Sequence, residues 1–187
     1  MGMGKSTTAN HLRDRGLPVV DTDDVARFLV APGQPALREI IAHFGCDLLD
    51  SAGGLRRELL AARVFSDPSL LGELEAILHP RIRQYWLDES VRWESAGVAV
   101  GAVIIPLLFE TDAASSFDAV ICVACSVQTQ HQRLLDRGMS LSQISQRLSR
   151  QWPVREKMTL SNLVVWTDVP ESVHYAQIDW LLSHGIN

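Results

Sequence analysis

Met1-Gly2-Met3-Gly4-Lys5-Ser6-Thr7 opens the chain. The stretch carries the second half of the phosphate-binding pattern G-x-x-x-x-G-K-[ST], leaving x-x-x-G-K-S. The pattern's first glycine would fall two positions before Met1. What remains is chemically specific. Gly4 lets backbone approach a phosphate closely. Lys5 can reach β- and γ-phosphates, and the Ser6 hydroxyl can ligate Mg²⁺. A helix starting here aims its first amides at the anion, with Gly2, Met3 and Thr7 completing the cradle. Read alone, Gly-Lys-Ser also fits an ordinary helix start. A lysine there works against the helix dipole, which makes a phosphate partner attractive.

Outward from this loop, strands and helices alternate. Residues 5–15 read as a helix stopped by Gly16, and Leu17-Pro18-Val19-Val20 as a short buried strand ending at Asp21. Helices are expected at 24–30, 36–44 and 55–65, the last with Leu55, Leu59, Leu60 and Val64 on one side. A long helix is expected over about 68–94, with His79-Pro80 a candidate break. Residues 97–105 (GVAVGAVII) and 119–125 (AVICVAC) are apolar runs of strand length, as in parallel strands buried on both faces. Helices follow at 128–137 and 141–151, then a strand at 163–166 and a helix at 171–183. The alternation predicts a doubly wound α/β fold.

With 187 residues and 47% hydrophobic content, the chain is long enough for one compact domain. A net charge of -5 makes the chain a poor candidate for non-specific nucleic-acid binding, which needs a basic face, while local basic clusters could still grip phosphates. No run approaches 18 apolar residues, so no membrane span is expected, and no signal peptide is visible. Three cysteines make no disulfide framework, and a reducing cytoplasm is the expected compartment. In a strand, Cys122 and Cys125 would point to opposite faces, which reads as small apolar packing rather than zinc ligation. Trp86, Trp93 and Trp180 fall at helical positions and read as packing residues.

Several segments, in order, resemble the dephospho-CoA kinases. Val19-Val20-Asp21-Thr22-Asp23 with Val25-Ala26-Arg27 is similar to that family's V-[IV]-D-A-D-x-[IL]-A-R. Pro35-Ala36-Leu37, His43-Phe44-Gly45, Leu55-Arg56-Arg57 and Val64-Phe65 continue the likeness. So do Leu74 to Pro80 (LEAILHP), Pro106-Leu107-Leu108-Phe109-Glu110, and Gln130, Arg133 and Arg137. Gln151 and Arg155-Glu156-Lys157 close the series. Thr167, or Trp166, stands where the family has Asn, which puts an adenine contact there in doubt.

The resemblance implies a P-loop, adenylate-kinase-like fold: a single domain over 1–187, with an acceptor-side helical insertion near 55–95 and a lid near 138–155. It implies ATP and Mg²⁺ at the loop, dephospho-CoA as acceptor, and no nucleic-acid or membrane partner; a monomer is expected. Asp23 lies just past a strand end, where α/β folds place ligands, and the resemblance assigns it the role of base. Its competing reading is a helix N-cap, which Asp21 or Asp24 could also supply. Asp21 reads as a structural or Mg²⁺-side carboxylate. Arg27, one turn on, can hold a substrate phosphate. His79, Pro106, Leu107 and Glu110 are expected on the acceptor side. Arg133, Arg137, Arg147 and Arg150 crowd the lid, and Arg137 is the expected partner of the transferring phosphoryl.

In the resembled family a central strand precedes the loop. This chain has none before Met1, so the neighbouring strands are expected to face each other across a gap and the functional protein to start upstream. Two alternatives stand beside the main reading: an impaired or inactive P-loop protein that only binds nucleotide or CoA, and another P-loop small-molecule kinase.

Overall fold

The computed structural model describes residues 1–184, and Phe65 only through its backbone. The chain divides into two compact units, Met1–Leu17 with Ile104–Asn187, and Pro18–Val103.

In the second unit, β1 (Val19–Asp21) runs straight into α2 (Thr22–Leu29). The junction is fixed by the Asp21 carboxylate, which accepts the Asp23 N–H at 2.9 Å as the N-cap. α3 (Pro35–Phe44) begins with proline at its first position and stops at Gly45, and α4 (Arg57–Phe65) follows. α5 (Pro68–Ser95) has Asp67 as N-cap and Pro68 at its start. Val30, Ile40, Phe44, Leu48, Leu60, Val64 and Ile77 form the core these helices share. β2 (Ala102–Ile104) pairs with β1, and Ala102 N–H donates to the Pro18 carbonyl at 3.0 Å.

Three expectations change here. α5 is unbroken: Pro80 lies inside it on an exposed face, and the helix packs against α2, α3 and α4. That packing outweighs the cost of a lost helical hydrogen bond, about 3 kcal/mol. Leu55 is not helical but bridges Leu49, and Leu59 on α4 is exposed. β2 is far shorter than 97–105, because Gly97 turns the chain out of α5 and the Val98 N–H returns to the Trp93 carbonyl.

In the first unit, α1 (Lys5–Asp14) buries Ala9 and Leu12, and α9 (Glu171–His184), which packs on it, buries Ile178 and Leu181. β3 (Ile121–Ala124) pairs parallel with β4 (Leu163–Trp166), Ile121 opposite Leu163 through Ala124 opposite Trp166. The crossover runs through α6 (Val127–Asp136), α7 (Leu141–Leu148) and α8 (Val154–Leu160), as parallel pairing requires. α7 starts on a capping box of Ser140 and Gln143 and ends three residues before the expected 151. α8 was not expected; its seven residues are too few to show a helical period. Both backbone groups of Trp166 bond the Gln177 side-chain amide, which closes the strand edge at that residue. Trp86 is buried as expected, but Trp180 is exposed and stacks on His184.

Candidate active site

Residues 1–4 form a loop that ends on α1. Gly2 and Gly4 both have positive φ, at 70° and 91°. Gly4 is the α1 N-cap, so no side chain occupies the first turn's amides and no acidic residue stands in that turn. A Cβ on Gly4 would come 3.1 Å from the Thr167 side chain, and one on Gly2 would come 3.1 Å from the Gln130 carbonyl. Only glycine satisfies both the backbone and the space here.

Side chains from α6 and Thr167 fix the loop, and the Met1 amino group donates to Gln151 Oε1 at 3.3 Å. Gln130, buried on α6, donates to the Met1 carbonyl at 2.8 Å. Arg133, one turn on, donates to the Gly2 carbonyl at 3.4 Å and to Thr167 twice, at 2.8 Å to the hydroxyl and 2.6 Å to the carbonyl. Thr167 is 2% exposed and its hydroxyl donates to the Met3 carbonyl at 3.1 Å. α6 is held in turn by Ser126 as N-cap and by Asp168, which accepts the Ser126 N–H at 2.9 Å. Burial pushes the Asp168 carboxyl up, but bonds from Ser126 and Thr129 outweigh it and hold the carboxyl below its ordinary value.

Arg133 is therefore a brace for the loop rather than a lid arginine. Gln130 and Arg133, three residues apart on α6, share one helical face. Thr167 was the unreadable member, since its sequence position suggests only a departure from Asn.

Two cavities adjoin the loop within this unit. One, of about 380 Å³, is lined by Gly4, Thr7, Arg133, Arg137, Thr167 and His174. Arg137 thus lies on the same cavity as the loop and α1. The other, of about 360 Å³, is mostly apolar and is lined by Met3, Lys5, Pro106, Phe109, Cys122 and Lys157 among others. Burial pushes the Cys122 thiol up, against the opposing pull of Lys157 and Lys5. Ser6 is exposed in the first turn. Leu107 lies outside both linings, and its carbonyl accepts the Thr111 N–H.

Glu110 is not laid out as a surface contact. Its Oε1 meets Lys157 Nζ at 2.6 Å and accepts the Trp152 N–H at 2.8 Å. Asp21, Asp23, Arg27 and His79 belong to the other unit. There Asp21 is the cap of α2, Arg27 pairs with Asp24 on the exposed surface, and His79 is half-buried on α5. Among the described residues no cluster of three or more His, Cys, Asp or Glu forms a metal cage. A Mg²⁺ held by nucleotide phosphates and one hydroxyl needs none, so Ser6 suits that chemistry.

Comparison with known proteins gives a consistent answer. Residues 1–170 match the family described as dephospho-CoA kinase. A dephospho-CoA kinase of Bdellovibrio bacteriovorus is 37% identical over 179 residues, covering 96% of this chain and 89% of its own length. One from Anaeromyxobacter dehalogenans is 42% identical over 163 residues, covering 87% and 77%. A crystal structure from Thermus thermophilus superposes with a TM-score of 0.81 at 31% identity, covering 98% of this chain and 93% of that one. The dephospho-CoA kinase of Campylobacter jejuni has the same fold, with a TM-score of 0.72 at 23% identity.

Proposed function

This chain belongs to the dephospho-CoA kinase family, and from that premise we propose that it moves the γ-phosphoryl group of ATP to the ribose 3′-hydroxyl of dephospho-CoA, giving CoA and ADP in the last step of CoA biosynthesis. The observation that carries the reading is the loop at residues 1–4: two glycines with positive φ, braced from α6 and Thr167, ahead of Lys5 and Ser6. Such a loop binds phosphate through backbone amides and a helix N-terminus.

In the proposed reaction the ribose oxygen attacks the γ-phosphorus and the bond to the β-phosphate oxygen breaks. Asp23 takes the hydroxyl proton and ADP leaves. Lys5 holds the β- and γ-phosphates, and Arg137 neutralises charge on the transferring group. Gly2, Met3, Gly4 and Thr7 cradle the nucleotide. Arg27, His79, Pro106 and Leu107 are assigned to the acceptor. Mg²⁺, held by Ser6 and the phosphates, would supply charge neutralisation there. The compartment that fits this chemistry is the cytoplasm.

The test is an acceptor panel with ATP. Dephospho-CoA should be turned over far faster than AMP or shikimate, and mass spectrometry should find one added phosphate on its nucleotide moiety. Equal rates across the panel would leave a P-loop kinase without this specificity.

A further inference from the structure

We propose that Glu110 and Lys157 form a latch that fixes the base of the 138–155 segment to the loop after β2, so that both act as positioning residues for phosphoryl transfer. The inference rests on the kinase reading above, and all its parts lie within the first unit.

The sequence placed Glu110 on the substrate. Its surroundings give it other partners. The two side chains are among the least exposed charges of the chain, at 12% for Glu110 and 14% for Lys157. Lys157 also donates to the Pro106 carbonyl at 3.1 Å. The 106–110 loop is thus held at both ends by α8 and by Trp152, two residues before it: Pro106 by Lys157, Glu110 by Lys157 and by the Trp152 N–H. Between these points Phe109 stacks on Trp152, with ring centroids 6.4 Å apart and planes 13° from parallel. Trp152 follows α7 by a few residues, so these contacts set where the lid segment leaves the body of the unit.

The chemistry of the pair argues against a phosphate role for Lys157. Two of its three N–H groups are engaged within the protein. The Glu110 oxygen that meets Lys157 already takes two donors, and Oε2 is buried without one. A buried carboxylate with one empty oxygen depends on the cation beside it. Removing either partner alone leaves an uncompensated buried charge, whereas removing both need not.

That asymmetry separates a latch from a merely structural pair. Three variants of the full chain are needed: Glu110→Gln, Lys157→Met and the double variant. Each single variant should melt lower and turn over slower. The double variant should recover most of the melting temperature, since no unpaired charge remains. Its kcat should nevertheless stay about ten- to a hundredfold below wild type, because the lid base is misplaced. Trypsin should also cut at Arg147 and Arg150 faster in the double variant than in wild type.

If kcat returns with the melting temperature, the pair only stabilises the fold and the proposal falls. If Glu110→Gln raises the KM for dephospho-CoA while Lys157→Met leaves it unchanged, Glu110 touches the acceptor and the latch is again wrong. Absence of turnover by the wild type would overturn the kinase reading instead. The proteolysis rates then decide the latch: unchanged cleavage in the double variant refutes it, and faster cleavage supports it.

Discussion

The Asp21 carboxylate, not that of Asp23, caps α2, although either could have done so by sequence. The distinction makes the two aspartates separable. Asp21→Ala should lower stability by about 1 kcal/mol, the ordinary cost of a lost N-cap, as read from urea unfolding. Asp23→Asn should leave the melting temperature near wild type and cut kcat by about 10²-fold or more, with ATP binding nearly intact. A loss below about tenfold would remove Asp23 from the chemistry. Thr167 gives a second test at this scale. Thr167→Val keeps the shape but strands an Arg133 N–H and the Met3 carbonyl, at a cost of about 1–3 kcal/mol. Part of that cost should appear as a raised KM for ATP, since we propose the braced loop as the nucleotide cradle. Thr167→Ser should stay close to wild type in the same assay. The glycine turn ahead of α1 and an aspartate cap on α2 were legible because their chemistry is local. The brace was not, because Thr167 meets Met3 only through a contact between residues 164 apart.

Between elements, the seam of α1 and α9 carries a titratable group. His174 is buried, and its Nε2 lies 2.9 Å from the Thr8 hydroxyl on α1. Arg133 and His11 face it with positive charge and Glu171 with negative. Burial first, then the charges of Arg133 and His11, hold the imidazole below its ordinary value of 6.5, with Glu171 opposing them. The unfolded chain therefore binds the proton more readily than the folded one. The stability attached to neutral His174 is complete above 6.5 and declines as pH falls below it towards the folded value. Urea midpoints should drop across that window, and His174→Gln, which can keep a bond to Thr8 without titrating, should flatten the drop. Asp179 behaves separately. Hydrogen bonding from His11, opposed by burial and helped by the Arg15 charge, keeps its carboxyl below 3.8, so its contribution is lost only at more acidic pH. The elements themselves were largely readable. α1, α2, α3, α6, β4 and α9 lie within two residues of their expected bounds at nearly every end, because caps, glycines and apolar spacing mark them. The strand at 97–105 was overread, since a turn out of α5 can be as apolar as a strand. α8 went unread for want of length.

At the scale of the whole molecule, the expectation was one domain with a helical insertion near 55–95, and the chain gathers into one compact unit over Pro18–Val103 and another drawn from both flanks. No local pattern announces this, because the core of the helical unit draws on Val30 and Ile40 as fully as on Leu60 and Ile77. Hydrogen exchange should resolve the two units. An ATP analogue alone should slow exchange in residues 1–4, in α6 and at Thr167, and leave the core amides of α3, α4 and α5 at their own rates; uniform slowing throughout would contradict this division. The split also sets a timetable at the ribosome. Residues 18–103 emerge together and hold their own core, but Thr8 waits for His174, which lies 166 residues later. At about 5–20 residues per second that wait is roughly 8 to 33 s. The loop at residues 1–4 is thus made long before the residues that hold it. A nascent chain stalled before β4 would carry a complete helical unit beside a loop with no Thr167 to hold it.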